Sequence, residues 1–353
     1  MTYRTSPAVH ASMDSLPPDA RLLAICVARI GDTLLATPAL RALRAAVPRG
    51  SLTVLAHPKR RVLLQHLPFI DRLGSIEKHQ ASWRGWLSGK AYDWGVVYGE
   101  DAALVRYALR VCRHVVAQRQ KDETLNRRLA CVIAPATEFQ IAVDERLRLA
   151  IALGAPVKGR ALSYRITPEE QAQARSRLRT LLPGTARFVG LQLQSFPSKA
   201  YRDWPVEKFH SLAQRLLQQD GIGIVVLGGP ESVRIGEDFA RRLSAHFPGR
   251  VASLAGQTRL REGAAVIGEL DLYVGVDTGP THLAGALGVP MVALYHCRHR
   301  GRWLAPQEHP ALSVIEHPTP DASCGNDTSM AEIPLELVAQ AAEQRLAHGS
   351  RPQ

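Results

Sequence analysis

The segment 28–37 places one carboxylate, that of Asp32, between an apolar run and a helical pattern. The run, 22–28, predicts a buried strand, and the apolar spacing from Leu35 onwards predicts a helix. A strand that turns through Ile-Gly-Asp into a helix brings the acid to the carboxyl end of a parallel sheet, where open α/β folds bind ligands. Since no glycine-rich dinucleotide fingerprint accompanies it, we interpret Asp32 as a base that faces a cleft.

A second candidate begins where another apolar run, 272–276, ends. Asp277 follows that run, Gly279 permits a tight turn, and Thr281 is expected to cap the next helix. The free N–H groups and positive dipole end of such a helix attract a diphosphate, while Asp277 can accept hydrogen bonds from sugar hydroxyls. The alternative is an ordinary βα turn without a ligand. Asp32 follows a predicted strand at the equivalent position in the first half of the chain, which weighs against that alternative.

The segment 194–205 offers hydroxyl and amide donors together with two cations, Lys199 and Arg202. This composition suits a diphosphate leaving group, whose negative charge grows in the transition state. Asp203 is expected to cap the helix that follows. An exposed loop with a buried Trp204 is the alternative interpretation.

Three further patterns are weaker. The Gly-Gly-Pro-Glu turn at 228–231 allows close backbone approach and offers Glu231 to ribose hydroxyls, although helix N-termini favour glutamate in any case. The His-Cys-Arg-His run at 296–299 is interpreted as a polar loop, because no second pair of metal ligands lies nearby in the sequence. No Gly-x-Ser-x-Gly elbow supports serine hydrolysis.

The 353 residues are enough for two domains, and 46% hydrophobic with 22% charged content is typical of a soluble globular protein. No apolar run approaches the roughly 20 residues of a membrane span, and 1–20 lacks the apolar stretch of a signal peptide. We therefore expect a flexible leader at 1–20 and a cytoplasmic protein. The five cysteines are scattered without a Cys-x-x-Cys pair, which favours reduced thiols over disulfides or a zinc site.

The net charge of +12 favours a polyanionic partner: nucleic acid, anionic lipid or a phosphorylated substrate. A solvated arginine-rich surface without a partner is the alternative. Aromatic content is only 6% and no RNA-binding signature or helix-turn-helix occurs, so nucleic acid is the weakest of these interpretations.

Strands alternate with helices through both halves, which predicts parallel sheets covered on both faces. The predicted strands are 22–28, 52–56, 94–98, 188–193, 222–227, 272–276 and, as the last, 291–294. The basic stretch 113–135 is interpreted as a surface loop region, and a capping box at Thr167 and Glu170 opens the first helix of the second half. The predicted divisions are an N-terminal domain at 21–160, a C-terminal domain at 161–333, and a terminal helix and tail at 334–353.

Two segments, 29–40 and 276–284, resemble motifs of the heptosyltransferase family (glycosyltransferase family 9). Three other segments, 204–205, 227–231 and 253–258, follow in the family's order, so the resemblance covers roughly residues 20–345. It implies an α/β protein of the GT-B fold, with two Rossmann-like domains facing across a cleft. The donor nucleotide would bind the C-terminal domain and the acceptor the N-terminal one.

The resemblance also implies an activity: transfer of heptose from ADP-heptose to the inner core of lipopolysaccharide, with inversion and with no metal or other cofactor. One general base serves an inverting attack, and fixed cations with helix N–H groups can stabilise the departing ADP. The positive charge suits a phosphorylated glycolipid acceptor on the inner leaflet. A cytoplasmic enzyme with peripheral inner-membrane contact and no nucleic-acid partner is expected.

By similarity to the family motif, Asp32 is expected to be the general base. The residues expected to bind the donor are Gln194, Ser195, Lys199 and Arg202 (diphosphate), Glu231 (ribose), Thr258 (adenine), and Asp277, Thr278, Gly279, Thr281 and His282 (heptose and diphosphate).

The sequence departs from the family motif at two places. Arg202 stands where the family has a lysine, and a planar fork contacts phosphate differently from a point charge. The segment 295–299 replaces a Gly-Pro-Thr-like turn near the donor. A related transferase that uses another nucleotide sugar, or a non-catalytic protein that binds anionic glycans or nucleic acid, therefore stays open.

Overall fold

The computed structural model describes residues 16–87, 89–136 and 138–348. The chain divides into two compact units, Met1–Ser163 (unit 1) and Tyr164–Gln353 (unit 2). Most of the expected leader, and the end of the expected tail from 349 on, lie outside the described residues. The described part of the leader packs onto unit 1, because Leu16 and Ala20 are buried. Within the described ranges, no helix is both long and apolar enough to cross a membrane.

Unit 1 is built from a parallel sheet and flanking helices. Its strands are β1 Arg21–Cys26, β2 Ser51–Ala56, β3 Arg72–Ser75, β4 Tyr92–Tyr98, β5 Cys112–Gln118 and β6 Cys131–Ile133. Its helices are α1 Ile30–Leu35, α2 Thr37–Ala46, α3 Lys78–Ala81, α4 Ala102–Val111, α5 Glu123–Asn126 and α6 Ala142–Ile151, with a 3₁₀ turn at Arg61–Leu64.

Unit 2 repeats this arrangement. Its strands are β7 Arg187–Gln192, β8 Ile222–Leu227, β9 Val251–Ser253, β10 Leu272–Val276, β11 Met291–Tyr295 and β12 Leu312–Glu316. Its helices are α7 Pro168–Leu181, α8 Val206–Leu217, α9 Val233–Ser244, α10 Leu260–Gly268, α11 Gly279–Ala286, α12 Gly301–Leu304 and α13 Leu335–His348. Shorter 3₁₀ turns lie at Pro197–Arg202, Pro230–Ser232, Asp321–Ser323 and Met330–Glu332.

The two sheets have the same strand order. It is β3-β2-β1-β4-β5-β6 in unit 1 and β12-β11-β10-β7-β8-β9 in unit 2, and every pairing is parallel. Both are the order of Rossmann-like sheets, in which ligands bind outside the carboxyl ends of the strands where the order reverses. Those switch points lie between β1 and β4 in unit 1 and between β7 and β10 in unit 2.

The central residues of the interior strands are mostly apolar, as expected for parallel sheets with helices on both faces. Every residue of β8 is buried. The core of unit 2 also contains Trp204, whose indole N–H donates to the carbonyl of Ile333 at 3.2 Å. The predicted apolar face of α13 is confirmed, since Val338, Ala342 and Leu346 are buried in that core. The terminal helix is thus part of the unit 2 core.

The capping box predicted at the start of α7 is confirmed. The hydroxyl of Thr167 accepts from the N–H of Glu170 at 3.2 Å, and the Glu170 carboxylate accepts from the N–H of Thr167 at 2.9 Å. Asp101 caps α4, because its carboxylate accepts from the N–H groups of Ala103 and Leu104. These short-range signals succeed because each needs only residues that are close in sequence.

The surface-loop prediction for 113–135 was wrong. This stretch contains most of β5, all of α5 and all of β6. Val115, Val116 and Ala117 are buried, whereas Arg113 is exposed at the start of the strand. The apolar run of β5 is only three residues long, and basic residues flank it. The strand conformation of β5 therefore depends on its pairing with β4 rather than on its own sequence pattern.

Two other element predictions were wrong. The strand at 291–294 is not the last, because β12 follows it and pairs with β11. Only Ile315 of β12 is buried, which is why an edge strand of this kind lacks an apolar signal. Asp203 does not cap α8; its carboxylate accepts from the N–H of Ser195 at 2.7 Å instead.

Candidate active site

Asp32 lies in the first turn of α1, just beyond the carboxyl end of β1 and beside the switch point of the unit 1 sheet. Its side chain is 42% exposed. The short α1 ends at Ala36, and α2 starts again at Thr37 with Pro38 in its first turn. The break holds Asp32 on a separate, single-turn helix, at the edge where its sequence position predicted it.

Asp32 is ion-paired. The Arg146 guanidinium donates to Asp32 Oδ1 at 2.8 Å, and its other terminal nitrogen donates to Glu145 at 2.6 Å. Gln118 reaches the same Glu145 at 3.5 Å, so a polar chain runs from β5 through α6 to the acid. The exposed fraction of Asp32 leaves its carboxylate accessible to a substrate hydroxyl beside the Arg146 contact.

A cavity of about 280 Å³ lies at the same edge of the unit 1 sheet. It is lined by residues that follow β4, β5 and β6 and by α6, and Glu145 is one of them. Its charged side chains include Arg119 and Arg148. The cavity is therefore next to the polar chain that ends on Asp32, and it is mixed in charge.

In unit 2, the chain leaves the carboxyl edge of the sheet after each of the six parallel strands, β7 to β12. The predicted donor-binding residues occupy the loops after β7, β8, β9 and β10. The loop after β11 carries His296 and His299, which sequence reasoning had set aside as a polar loop. Parallel strands explain the arrangement, because all their carboxyl ends meet at one edge.

Asp277 is the centre of the candidate donor site. It is only 6% exposed, and the Arg202 guanidinium donates to its Oδ2 at 2.8 Å. His282 Nε2 lies 3.6 Å from its Oδ1. Burial opposes ionisation of this carboxyl, but His282 and the charge of Arg202 outweigh that effect and hold the pKa of Asp277 below its ordinary value. The carboxylate therefore stays charged at neutral pH.

Two aromatic side chains complete the surroundings of Arg202. His299 Nε2 lies 2.7 Å from the Arg202 guanidinium and 2.8 Å from the Tyr201 hydroxyl. Burial, together with the charge of Arg202, lowers the pKa of His299 to about 4. Neutral His299 therefore accepts hydrogen bonds through Nε2, and it contacts a different terminal nitrogen of Arg202 from the one that binds Asp277.

The first turn of α11 lies immediately after Asp277. Thr278 is the N-cap residue with extended backbone, and Gly279 begins the helix. Thr281 does not cap the helix as predicted; it is fully buried, its hydroxyl donates to the carbonyl of Val276, and it lies 3.0 Å from the Tyr273 hydroxyl. Thr281 lies inside the helix and therefore cannot be its N-cap. Its hydroxyl instead stabilises the turn through the hydrogen bond to the carbonyl of Val276.

His282 is 5% exposed and its Nδ1 is a buried atom without a hydrogen-bond partner among the described residues. Buried polar atoms are nearly always satisfied, so an unpartnered one beside a helix N-terminus is a sign of a missing ligand atom. The turn thus combines free N–H groups, an unsatisfied imidazole nitrogen and a nearby guanidinium, which is suited to an anion.

The loop after β7 holds the other cationic residue. Ser195 donates through its hydroxyl to the carbonyl of Lys199 at 2.8 Å, and the Lys199 ammonium lies 5.8 Å from the centre of the Tyr201 ring. The carbonyl of Gln194 accepts from the Gln192 amide at 2.8 Å. The structure thus connects Ser195, Lys199 and Arg202 within one loop, while the side chain of Gln194 is half-buried beside them.

Glu231 and Thr258 lie on neighbouring turns, after β8 and β9. The turns are joined by a hydrogen bond of 3.0 Å from the N–H of Gly256 to the carbonyl of Gly228. A Cβ at position 229 would lie 2.5 Å from the Glu231 carboxylate, so glycine is needed there for the side chain to hold this position. Among the described residues no hydrogen bond or ion pair joins Glu231 or Thr258 to the Asp277 cluster.

The expectation that all cysteines are reduced thiols was wrong for two of them. Cys297 and Cys324 form a disulfide with their Cα atoms 5.9 Å apart. The other three, Cys26, Cys112 and Cys131, are buried free thiols, and burial raises the pKa of Cys26 to about 12. The pair escaped prediction because its members are 27 positions apart in sequence and follow no recognisable spacing motif.

The disulfide fastens the loop after β11. His296 lies beside it, with its Nδ1 3.7 Å from the sulfur of Cys297, and its Nε2 is 3.0 Å from the carbonyl of Thr328. One donor atom each from His296, Cys297 and Cys324 lies within 4.8 Å of the others, a grouping of metal-ligand type that the sequence did not reveal. In the structure the two sulfurs are bonded to each other, and the loop they hold carries His299.

Sequence reasoning missed three residues of these clusters. Arg146 is 114 positions from Asp32 and sits on a helix with no motif. His299 had been assigned to a polar loop, although its proximity to a strand end at the same edge as Asp277 was a usable signal. Tyr201 lay inside the predicted diphosphate loop but was given no role.

The model of the family described as "Glycosyltransferase family 9 (heptosyltransferase)" matches residues 87–330. The chain belongs to glycosyltransferase family 9. The predicted family is thereby confirmed. The matched residues contain every predicted donor-binding residue, whereas Asp32 precedes them.

Curated members of glycosyltransferase family 9 are similar to this chain at low identity. Lipopolysaccharide heptosyltransferase 3 of Escherichia coli is 23% identical over 336 residues, which is 90% of this chain and 96% of that protein. Lipopolysaccharide core heptosyltransferase OpsX of Haemophilus influenzae is 29% identical over 98 residues, or 28% of this chain. The chain spans only 27% of OpsX and 38% of lipooligosaccharide heptosyltransferase 2 of the same organism.

Solved structures of the family have the same fold. A glycosyltransferase family 9 protein from Veillonella parvula superposes with a TM-score of 0.80 at 22% identity, covering 95% of this chain and 99% of that one. ADP-heptose LPS heptosyltransferase II of E. coli gives 0.77 at 22% identity, covering 93% and 98%. E. coli heptosyltransferase WaaC, solved with ADP, gives 0.69 at 19% identity, covering 92% and 99%. The predicted α/β, GT-B fold class is confirmed.

Proposed function

We propose that this chain is an inverting glycosyltransferase that moves heptose from ADP-heptose to the inner core of lipopolysaccharide. The observation that carries the proposal is the cluster at the start of α11, where Asp277, Arg202 and His282 converge at the switch point of a Rossmann-like sheet. Membership of glycosyltransferase family 9 supports the reaction class. WaaC, a structural relative, has been solved with ADP.

In this proposal the diphosphate binds at the N-terminus of α11. The unpartnered Nδ1 of His282 and the free N–H groups of the first turn supply hydrogen bonds. Arg202 and Lys199 supply positive charge where the departing ADP accumulates negative charge. Glu231 binds the ribose and Thr258 lies by the adenine, on the adjoining turns after β8 and β9.

The sugar is held by Asp277. Its charged carboxylate accepts hydrogen bonds only, so it suits the hydroxyls of a heptose. Arg202 now occupies one oxygen of that carboxylate, and His282 lies near the other. A sugar hydroxyl therefore competes with or displaces one of these contacts, and Thr278 and Gly279 line the same turn.

Asp32 acts as the general base in this proposal. It takes the proton from the acceptor hydroxyl as the oxygen attacks the anomeric carbon and the bond to the diphosphate breaks. One base is enough for a single in-line displacement, which inverts the anomeric centre. Arg146 pairs with this carboxylate at 2.8 Å, and in this proposal the cations of unit 2 make a divalent metal unnecessary for leaving-group departure.

The acceptor is proposed to be the phosphorylated inner core of lipopolysaccharide, reached from the cytoplasmic face of the inner membrane. The net charge of +12 supports an anionic acceptor. The enzyme is accordingly proposed to be cytoplasmic, with peripheral membrane contact and no nucleic-acid partner.

A transfer assay tests the proposal. Purified protein is incubated with ADP-heptose and a heptose-free inner-core acceptor, with and without EDTA, and ADP release and the anomeric configuration of the product are measured. Product of inverted configuration at equal rates in both conditions is expected. Absence of product from ADP-heptose, or full inhibition by EDTA, would refute the donor or the metal-independent mechanism respectively.

A transferase that uses a different nucleotide sugar is the second candidate. The observation that favours it is His299, which contacts Arg202 from a disulfide-held loop that replaces a glycine-containing turn. A bulkier wall beside the donor changes which sugar fits. The same assay with UDP- and GDP-sugars decides, since the larger kcat/KM identifies the donor.

A further inference from the structure

Three large apolar side chains project to solvent within five residues of unit 1. Trp83 is 65% exposed, Trp86 is 71% exposed, and Leu87 is fully exposed. Elsewhere in the described part of the chain, exposed large apolar residues occur singly along the sequence. A concentration of this kind is typical of an interaction surface. We call these three residues the tryptophan patch.

The tryptophan patch is held in place by α4. Arg110 donates from Nε to the carbonyl of Arg84 at 3.0 Å and also bonds the carbonyl of Ala81. Gly85 has a φ of +85°, and a Cβ there would lie 2.7 Å from the side chain of Val111. The backbone between the two tryptophans is thus pinned against a helix, and their side chains point outwards.

The surroundings of the patch are positively charged. No aspartate or glutamate occurs between Lys78 and Tyr92. Arg84 bonds the carbonyl of Ser75 at 3.0 Å, and Lys90 bonds the carbonyl of Cys112 at 2.8 Å. These bonds are to neutral carbonyl groups, so no carboxylate offsets the two positive charges in these contacts.

A cation also lies against one of the indoles. The Arg110 guanidinium is 5.1 Å from the centre of the Trp86 ring. Lys78, by contrast, is paired with Asp101 at 2.8 Å. Arg84, Lys90 and Arg110 are thus three cations of this segment and of the helix behind it, and none of them has a carboxylate partner among the described residues.

We propose that the tryptophan patch is a docking surface for an anionic phospholipid bilayer. Indole rings favour the boundary between headgroups and acyl chains, where an apolar ring and a polar N–H are both accommodated. Adjacent arginines and lysines are attracted to the negative surface of the cytoplasmic leaflet. The inference rests on the proposed function in one respect, because a glycolipid acceptor gives the enzyme a reason to be at that membrane.

Vesicle binding of the full-length protein tests the docking surface. The probes are vesicles of phosphatidylcholine alone and of phosphatidylcholine with 30% phosphatidylglycerol, in 50 mM and 500 mM NaCl. We expect at least tenfold tighter binding to the anionic vesicles at low salt, and most of that difference lost at high salt. The variant Trp83→Ser/Trp86→Ser/Leu87→Ser is expected to bind at least tenfold more weakly.

Matched controls distinguish binding through the tryptophan patch from nonspecific hydrophobic adsorption to vesicles. Ile151→Ser and Leu337→Ser remove exposed apolar side chains elsewhere and should bind like wild type. Trp83→Phe/Trp86→Phe should still bind but lose the blue shift of fluorescence that wild type shows on anionic vesicles. Circular dichroism and the thermal midpoint establish that each variant is folded.

The outcomes distinguish the alternatives. Equal binding by the triple serine variant, or equal binding to neutral vesicles, would overturn the proposal. So would a wild-type dimer in size-exclusion chromatography that the triple variant converts to a monomer, since the patch would then bind a second copy. Vesicle binding is measured without donor or acceptor, so it stands or falls independently of the transfer assay.

Discussion

The buried pair of Arg202 and Asp277 makes a quantitative test of the candidate donor site possible. Asp277 is 6% exposed and Arg202 16% exposed, so Arg202→Ala leaves a buried carboxylate without its main partner. Breaking a buried pair from one side typically costs about 3–5 kcal/mol. His282 remains 3.6 Å from Asp277, so we expect the lower end, about 3 kcal/mol.

The double variant is the decisive measurement. Asp277→Asn alone removes the charge and leaves Arg202 its contact with His299, so we expect a loss of about 1–2 kcal/mol. Arg202→Ala/Asp277→Asn should then be less destabilised than the sum of the single variants, by about 2 kcal/mol. Arg202→Lys, the matched control, keeps a charge beside Asp277 and should stay within about 1 kcal/mol of wild type.

The effect has a defined pH dependence. In wild type the pKa of Asp277 is held below its ordinary value, so the pair stabilises the fold above that value and stops doing so as pH falls through the lowered pKa. Arg202→Ala removes one of the charges that lower the pKa of Asp277, so this pKa is higher in the variant than in wild type. The variant therefore loses less stability than wild type as pH falls below the ordinary pKa of an aspartate, and its deficit relative to wild type shrinks there.

Urea unfolding followed by intrinsic fluorescence measures these differences. With a slope of roughly 2–3 kcal/mol/M, a loss of about 3 kcal/mol lowers the midpoint of the unit 2 transition by roughly 1–1.5 M. Two transitions are fitted, because a chain of two units need not unfold in one step. Strictly additive single variants, or a deficit independent of pH, would show that the two side chains are not coupled as the structure indicates.

Three further predictions follow from individual side chains. Asp32→Asn should lower kcat by about 10²–10⁴-fold, while the Kd for ADP changes less than twofold. Asp93 is another arginine-paired acid of unit 1, and Asp93→Asn should leave both quantities unchanged. Undiminished turnover in Asp32→Asn would refute the assignment of Asp32 as the base. Without reductant, Cys324→Ser should lower the unfolding free energy of unit 2 by about 3 kcal/mol, because the disulfide closes a loop between two cysteines 27 positions apart. In dithiothreitol the variant and wild type should have the same unfolding free energy. Equal stability of the two proteins in both conditions would contradict the bond. Burial lowers the pKa of His299 to about 4, so protonation favours the unfolded chain and wild type should lose stability as pH falls from about 6.5 to 4. His299→Gln should flatten that part of the profile, and unchanged slopes would refute the role of this imidazole.

Most of the fold could be predicted because its signals are local. Apolar runs specified β1, β8 and β10 nearly to their observed bounds, and the Thr167 capping box needs only four residues. The strands that were missed, β3, β5, β6, β9 and β12, are at or near sheet edges and have short apolar runs. For such strands the neighbouring strand decides the conformation, and a single sequence does not contain that information.

The candidate site was predictable in its positions and not in its contacts. Strand ends placed Asp32 and Asp277 correctly at the carboxyl edges of their sheets, because parallel topology dictates that edge. Arg146 lies 114 positions from Asp32, and His299 lies 97 positions from Arg202. Neither contact follows a motif, so only folding reveals it. The roles assigned to these residues stay predictions.

The last helix of the chain has a consequence for biosynthesis. Val338, Ala342 and Leu346 of α13 fill the core of unit 2, and Arg215 on α8 pairs with Glu343 at 2.7 Å. Because ribosomes release the chain from its N-terminus, β7 to β12 emerge before the helix that seals them. A nascent or prematurely terminated product that lacks this helix exposes an apolar groove, and it is therefore a natural target for chaperones and proteases.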